Sequence, residues 1–267
     1  MIRVPILMYH SVTDTPNAET RPHSVRPGDL DEQLAYLAEN DFTPLTLGDL
    51  VARLNKISGK ELPRKPIVLT FDDGYADFHA RALPLLEKHK FPATVFLTSG
   101  WVADAGKDAA GRPLDRMLSW SQAAEAASAG IEIGGHSHSH PQLDQLPDDD
   151  LRQELRRNKG LLEDKLGTPV ATMAYPYGYS SARVRREVRK AGYFAACAVN
   201  NTIAADRHDV LAIPRLTVAR HTTISMFSKA VEGTAVPLIY LRERILTKGY
   251  AVVRRTRYGL RRVRGHV

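Results

Sequence analysis

The sequence predicts an α/β domain, an irregular (β/α) barrel of about seven parallel strands, with an open doubly wound sheet as the alternative. Short apolar runs rich in Val, Ile and Phe recur along the chain. Segments with helix-capping punctuation lie between them. Roughly seven or eight such runs fall within about 215 residues, an alternation that favours a barrel whose chemistry sits on the loops after the strands.

In chain order, strands are expected near residues 4–9, 67–71, 94–98, 131–134, 171–175, 194–199 and 213–218, and Phe42-Thr43-Pro44-Leu45 reads as a further short one. Helices are expected where a capping residue opens a periodic run: Thr46 before Leu47 to Leu54, Ser121 up to Gly130, Asp148 up to Gly167, and Ser181 up to Gly192. Gly106 to Pro113 reads as a rim loop. Apolar positions from Ile224 to Ile245, interrupted by Gly233 and Pro237, predict a broken helix packed on the barrel. No repeat or Pro/Gly/Ser-rich linker divides the body. The expected organisation is therefore a barrel over 1–222, a helical segment over 223–249 and a basic tail over 250–267.

Of the 267 residues, 43% are hydrophobic and 25% charged, which places the chain among globular domains. A single cysteine, Cys197, excludes an intrachain disulfide and a zinc site of several thiolates, so any metal must rest on His and carboxylate. The net charge of +7 is uneven: residues 242–267 hold nine Lys or Arg against one Glu, and the remainder is close to neutral. This argues against a nucleic-acid binder and points to contact of the tail with an anionic membrane face, or equally to a solvated tail. The apolar run before Tyr9-His10 is too short for a signal peptide, and no stretch reaches the ~18 apolar residues of a membrane span. A cytoplasmic protein, peripheral at the membrane at most, is the expectation.

Three constellations carry chemistry. An apolar strand, Ile67 to Phe71, runs into Asp72-Asp73-Gly74, which alone makes a solvated turn as readily as a site. After Ile131 to Ile133 comes Gly134-Gly135-His136-Ser137-His138-Ser139-His140-Pro141, where a four-residue spacing brings His136 and His140 to one side of a helical turn. Such pairs are typical of zinc sites, although a polar loop of solvated histidines shows the same letters. Third, Ala174-Tyr175-Pro176-Tyr177-Gly178 takes a strand into a turn able to aim a backbone N–H at the barrel mouth, or simply to pack tyrosines on the sheet.

Together and in this order, these motifs resemble the polysaccharide deacetylase family, the carbohydrate esterases that share the NodB homology domain. Thr70-Phe71-Asp72-Asp73-Gly74 is similar to its first motif, His136-Ser137-x-x-His140-Pro141 to its second, and Tyr175-Pro176-Tyr177-Gly178 to the second half of its third. Pro5 to Val12, Phe96 to Gly100 and Leu118-Ser119-Trp120 resemble the branch acting on poly-N-acetylglucosamine-type polymers. The resemblance implies that Asp73, His136 and His140 bind a divalent metal, usually zinc, with a metal-held water as nucleophile and Asp72 as base. It implies that the Tyr177 N–H stabilises the oxyanion. The implied function is removal of N-acetyl groups from an N-acetylhexosamine-containing polysaccharide or glycan precursor. Tyr175, Pro176 and Trp120 are the candidate substrate-binding residues, while packing equally suits Trp120 and Trp101.

The chain departs from the pattern twice. Ala174 stands where many members have the Arg that orients the base, and Ile213-Pro214-Arg215-Leu216-Thr217-Val218 lacks the late His of the proton donor. His10, or else His208, is the candidate acid. Arg215 is a candidate replacement cation near Asp72, or part of a salt bridge at the edge of the core. His138, two residues from each ligand, is expected to point into solvent. Rival readings are a metal-dependent amidohydrolase on a small amide and a noncatalytic glycan-binding barrel.

Overall fold

The computed structural model describes residues 3–245 and, beyond them, Arg254, Thr256 and Tyr258. The chain opens on β1 (Arg3–Val4) and β2 (Ile6–Tyr9), split at Pro5, which has no N–H for a continuous ladder. There follow α1 (Pro27–Glu39), β3 (Thr43–Leu45), α2 (Leu47–Leu54) and β4 (Pro66–Phe71). A π turn over Phe78–Ala82 leads into α3 (Leu83–His89) and β5 (Thr94–Leu97). Then come α4 (Trp120–Ser128), β6 (Glu132–Gly135), α5 (Asp148–Leu166), β7 (Thr172–Ala174), α6 (Ala182–Lys190) and β8 (Ala195–Cys197). A short β9 (Ala204–Ala205) pairs antiparallel with β1, β10 (Leu216–Thr217) ends the sheet, and α7 (Ile224–Val231) and α8 (Val236–Ile239) follow.

The strands β10-β2-β4-β5-β6-β7-β8 run parallel in a curled sheet, with β3 added beside the first half of β4. From β2 to β8 the spatial order follows the chain order, which excludes the doubly wound alternative, whose order reverses at a switch point. The two edges meet through one stretch. Ile213 bridges to Cys197 of β8, and three residues later Leu216 pairs with Leu7 of β2. Arg215 sits in this closing seam.

All six residues of β4 are buried, as a parallel strand covered on both faces requires. Helix α2 closes the base of the barrel. Thr46 caps it by accepting from the Asp49 N–H, and Leu47, Leu50 and Val51 pack with Val68, Phe96 and Ala195. At the same end Glu132 accepts from Gly48 N, Thr94 Oγ1 and Thr172 Oγ1 at 2.9, 2.9 and 2.7 Å. With the base plugged, the mouth at the strands' C-terminal ends is left for the site.

Helices α1 and α3 have no counterpart among the expected elements, for a physical reason. Neither has a side-chain cap at its start, α3 is entered through the π turn, and both lack a terminal glycine. Helix α4 starts two residues earlier than Ser121 suggests, because Ser119 and Gln122 form a reciprocal capping box. β8 and β10 are shorter than the expected 194–199 and 213–218. The break near Gly233 and Pro237 falls between α7 and α8, and α7 meets α1 through an edge-on Tyr36–Phe227 pair at 6.2 Å. Among the described residues no helix is long and apolar enough to cross a membrane. The expected membrane-contacting tail, 250–267, lies outside the described residues save for Arg254, Thr256 and Tyr258.

Candidate active site

β4 delivers two carboxylates in opposite circumstances. Asp72 still belongs to the ladder, its N–H donating to Tyr9 O at 3.0 Å. Asp73 then turns into the left-handed region at φ 74° and Gly74 follows at φ 85°. A Cβ on Gly74 would stand 2.5 Å from Leu97 Cδ2, so the turn needs glycine for space as well as for its dihedral.

Asp73 Oδ1 lies 3.3 Å from Nε2 of both His136 and His140. One donor atom from each of the three residues falls within 4.8 Å of the others. His136 follows β6 directly, and its Nδ1 donates to the carbonyl of Ala174 at 2.9 Å, which leaves the Nε2 lone pair turned toward Asp73. His140 is held differently. The loop 136–141 is no helical turn: Ser137 and His140 both have φ 62°. Glu154 of α5 accepts from His138 N and Ser139 N at 2.9 and 2.8 Å, and Asn158 Nδ2 donates to Ser137 O at 2.7 Å. The four-residue spacing therefore works through a braced loop. Trp101, buried, lies against the His140 ring at 4.7 Å, and Tyr177 on another side at 4.9 Å.

Asp72 is gripped by Arg215, Nη1 to Oδ1 at 2.6 Å and Nη2 to Oδ2 at 2.7 Å, with Nη1 also donating to Thr70 Oγ1 at 3.0 Å. Both partners are buried, Arg215 at 0% exposure, so this pair lies inside the barrel rather than at a core edge. Burial pushes the Asp72 carboxyl up, but the charges of Arg215 and His136 outweigh it and hold it below the ordinary carboxylate range. The carboxylate is thus ionised and fixed in orientation by a residue far from it in the chain.

A cleft of about 390 Å³ opens over these groups, lined also by His10, His23, Tyr175, Tyr177 and Tyr179. Burial pushes the His10 imidazole down to about 4 against the opposing pull of Asp73 and Asp72, and its Nδ1 has no hydrogen-bond partner among the described residues. The His23 ring lies tilted against it, with the ring centres 5.2 Å apart. Tyr177 reaches the rim with φ 60° and is 53% exposed. Tyr175 turns inward, its hydroxyl donating to Leu211 O at 2.7 Å.

Other candidates fall elsewhere. Pro176 is buried beneath the turn and Trp120 opens α4, its N–H held by Asp104 at 2.9 Å; neither is among the described residues lining the cleft. His208 accepts from Ala205 N beside β9, away from the cleft. His138 is buried rather than solvated, paired with Ser99 Oγ at 3.0 Å. The braces Glu154 and Asn158, and His23 beside His10, escaped sequence reasoning, since each acts across a dozen or more residues and no local pattern marks it.

Comparison with known proteins bears on the family and the fold. A poly-beta-1,6-N-acetyl-D-glucosamine N-deacetylase of Escherichia coli K12 is 27% identical over 258 residues, covering 84% of this chain. The chain spans only 38% of that relative's length. A deacetylase of Streptococcus pyogenes solved with acetate superposes with a TM-score of 0.76 at 24% identity, covering 86% of this chain and 98% of that one. A polysaccharide deacetylase from Bacillus cereus gives 0.72 at 26%, over 86% and 69%. The family model for polysaccharide deacetylase matches residues 59–196, the stretch that holds both aspartates, both histidines and the Tyr177 turn, and the chain belongs to that family.

Proposed function

We propose that this protein is a metal-dependent hydrolase that removes N-acetyl groups from an N-acetylhexosamine-containing polysaccharide or glycan precursor, with residues 1–222 as its catalytic body and the segment 223–249 packed on it. The observation that carries this reading is the convergence of Asp73, His136 and His140 beside an Asp72 locked by Arg215, under one cleft. The name of the Escherichia coli relative supports N-acetylglucosamine units as the substrate.

Asp73 Oδ1 and the Nε2 atoms of His136 and His140 would hold the cation. Two imidazoles and one carboxylate suit zinc rather than calcium or magnesium, which prefer oxygen donors. Such an ion, when bound, polarises the acyl oxygen and brings a water's pKa to roughly 7. Asp72 takes the proton from the attacking water, its oxygens aimed by Arg215. The backbone N–H of Tyr177, presented by its left-handed turn, donates to the oxyanion of the tetrahedral centre, a contact whose loss typically costs about 3–4 kcal/mol in barrier. His10, neutral in the free protein and on the cleft wall, receives the proton that Asp72 has taken from the water and passes it to the leaving nitrogen as the C–N bond breaks. The products are acetate and a free amine on the sugar.

The test is acetate release from defined N-acetylglucosamine oligomers, with metal stripped and restored. Release that needs metal and disappears in Asp72→Asn is the expected result. Metal binding without release from any glycan, or turnover of small amides alone, would sink the proposal.

A further inference from the structure

One wall of the cleft comes from outside the strand–helix repeat. At the end of α8 the Tyr240 hydroxyl donates to Thr217 O at 2.9 Å. Backbone bonds from Tyr240 N to Val236 O at 3.2 Å and from Arg244 N to Tyr240 O at 3.0 Å carry the helix on over 241–245. Its inner face is Val236, Tyr240 and Glu243: the first two are buried, and Glu243 lines the cleft with Thr217 and Asn201. Farther along, Arg254 is fastened to the barrel, its Nε donating to Asp144 Oδ2 at 2.9 Å and its guanidinium lying over the ring of Tyr179.

The outer face of the same helix is apolar. Leu238, Leu241 and Ile245 are spaced by three and four residues, so they share one side, and they are 77%, 55% and 62% exposed. A surface helix ordinarily turns one apolar stripe to the core and a polar side to water; this one has apolar side chains on both. Among the described residues seven large apolar side chains are exposed, and three of them fall between positions 238 and 245. A single exposed leucine needs no explanation, but a stripe on one helix face marks a surface that takes a partner.

The charge beside the stripe identifies the partner's chemistry. Arg242 is exposed and next to Leu241. From 246 to 267 the sequence adds seven Lys or Arg and no Asp or Glu, whereas the residues before them hold 30 Lys or Arg against 30 Asp or Glu. A second copy of the chain would set this basic segment against itself across a symmetric contact. An anionic lipid surface meets both features, taking the apolar side chains at its acyl boundary and the cations among its headgroups.

We propose that the face formed by Leu238, Leu241 and Ile245 docks the protein on an anionic phospholipid surface, with the basic residues that follow drawn to the headgroups. Because the opposite face of this helix walls the cleft, docking holds the mouth about one helix width, ~10 Å, from the lipid. The proposal does not depend on the reaction assigned to the site.

The experiment is cosedimentation of the full chain with vesicles of phosphatidylcholine alone and of phosphatidylcholine with about one-third phosphatidylglycerol. Partition onto the anionic vesicles should exceed that onto the neutral ones by about tenfold or more, and part of it should survive about 0.5 M salt, because an apolar contact is not screened. The combined substitutions Leu238→Ser, Leu241→Ser and Ile245→Ser should lower partition by about tenfold or more, and Arg242→Glu by about threefold. All four side chains are exposed, so an unchanged thermal midpoint checks that each variant is folded. A parent that binds neither vesicle, or both alike, overturns the proposal. So does a triple variant that binds as the parent does, which would leave the basic segment acting alone. A dimer found by sedimentation equilibrium without lipid, and lost in the triple variant, also overturns it, since the face would then seat a second copy. Acetate release from soluble oligomers reports on the site separately, so failure of docking and failure of the deacetylase reading are distinguishable.

Discussion

The two ends of the barrel are built on opposite principles. At the base, Glu132 has donors from three separate elements, α2 fills the opening with Leu47, Leu50 and Val51, and the polar groups match. At the mouth, Asp73, Ser137, His140 and Tyr177 are all non-glycine residues in the left-handed region, His10 Nδ1 lacks a partner among the described residues, and a carboxylate confronts two imidazoles. Each such backbone position costs of order 1 kcal/mol or more and persists only where its surroundings over-determine it. Here the braces Glu154 and Asn158 supply that constraint. The base holds the fold together, and the mouth draws on that stability to keep reactive groups apart from their preferred partners.

The largest test of this division is Asp73→Ala. It removes the one carboxylate that both imidazoles face, and should lower acetate release by about 10³-fold or more by removing the metal's contribution. Calorimetric titration with zinc should show lost affinity, while the apoprotein's thermal midpoint stays within a few degrees of the parent. A large fall in that midpoint would mean that the mouth, too, is structural.

Arg215→Met should affect both ends of the account. Asp72 would be left buried and unpaired, a loss of about 3–5 kcal/mol in chemical denaturation. In the parent, Asp72 titrates below its ordinary range, so its contribution to stability is full above the unfolded value and fades as pH falls through the folded one. Without Arg215 the effect of burial stands alone, the carboxyl titrates higher, and the acid-side loss of activity moves to higher pH. A pH–rate profile with an unmoved acid limb would remove Arg215 from the role of orienting the base.

At the base, Glu132→Ala strands three donors and should cost about 2–3 kcal/mol, measured by urea unfolding, with turnover per folded molecule within about twofold of the parent. A change in turnover larger than the loss of folded protein would show that the two ends are coupled. The smallest effect is at Tyr177. Replacement by Gly relieves a left-handed residue and should raise stability by at most about 1 kcal/mol, while the role proposed for its N–H as oxyanion donor predicts a lower kcat/KM once that group loses its fixed position. Equal movement of stability and activity in one direction would contradict the stored-strain account.

Legibility in the sequence divides along the same line. Strand and helix alternation is read easily because parallel strands buried on both faces are continuous apolar runs, as β4 is, and because Thr46, Ser181 and Gly167 mark ends chemically. α1 and α3 carry no such marks. Asp72, Asp73, His136 and His140 are visible as local motifs, since each pair leaves a strand together. The partner of Asp72 is not local: Arg215 lies in the closing seam, and only closure of the curled sheet brings it onto that carboxylate. The sugar-facing part suggested for Trp120 finds no place on the described lining, since the capping box at Ser119 and the bond to Asp104 set where that residue sits.

The sequence by itself determined the class of fold and set Asp72, Asp73, His136 and His140 in short motifs just after strands, because period, capping and short motifs are interactions between near neighbours. Only the tertiary structure decided which cation orients Asp72, which loop braces hold His140, and that the C-terminal segment walls the cleft. Those are encounters between residues far apart in the chain, and their energies exist only once the sheet has curled and brought its edges together.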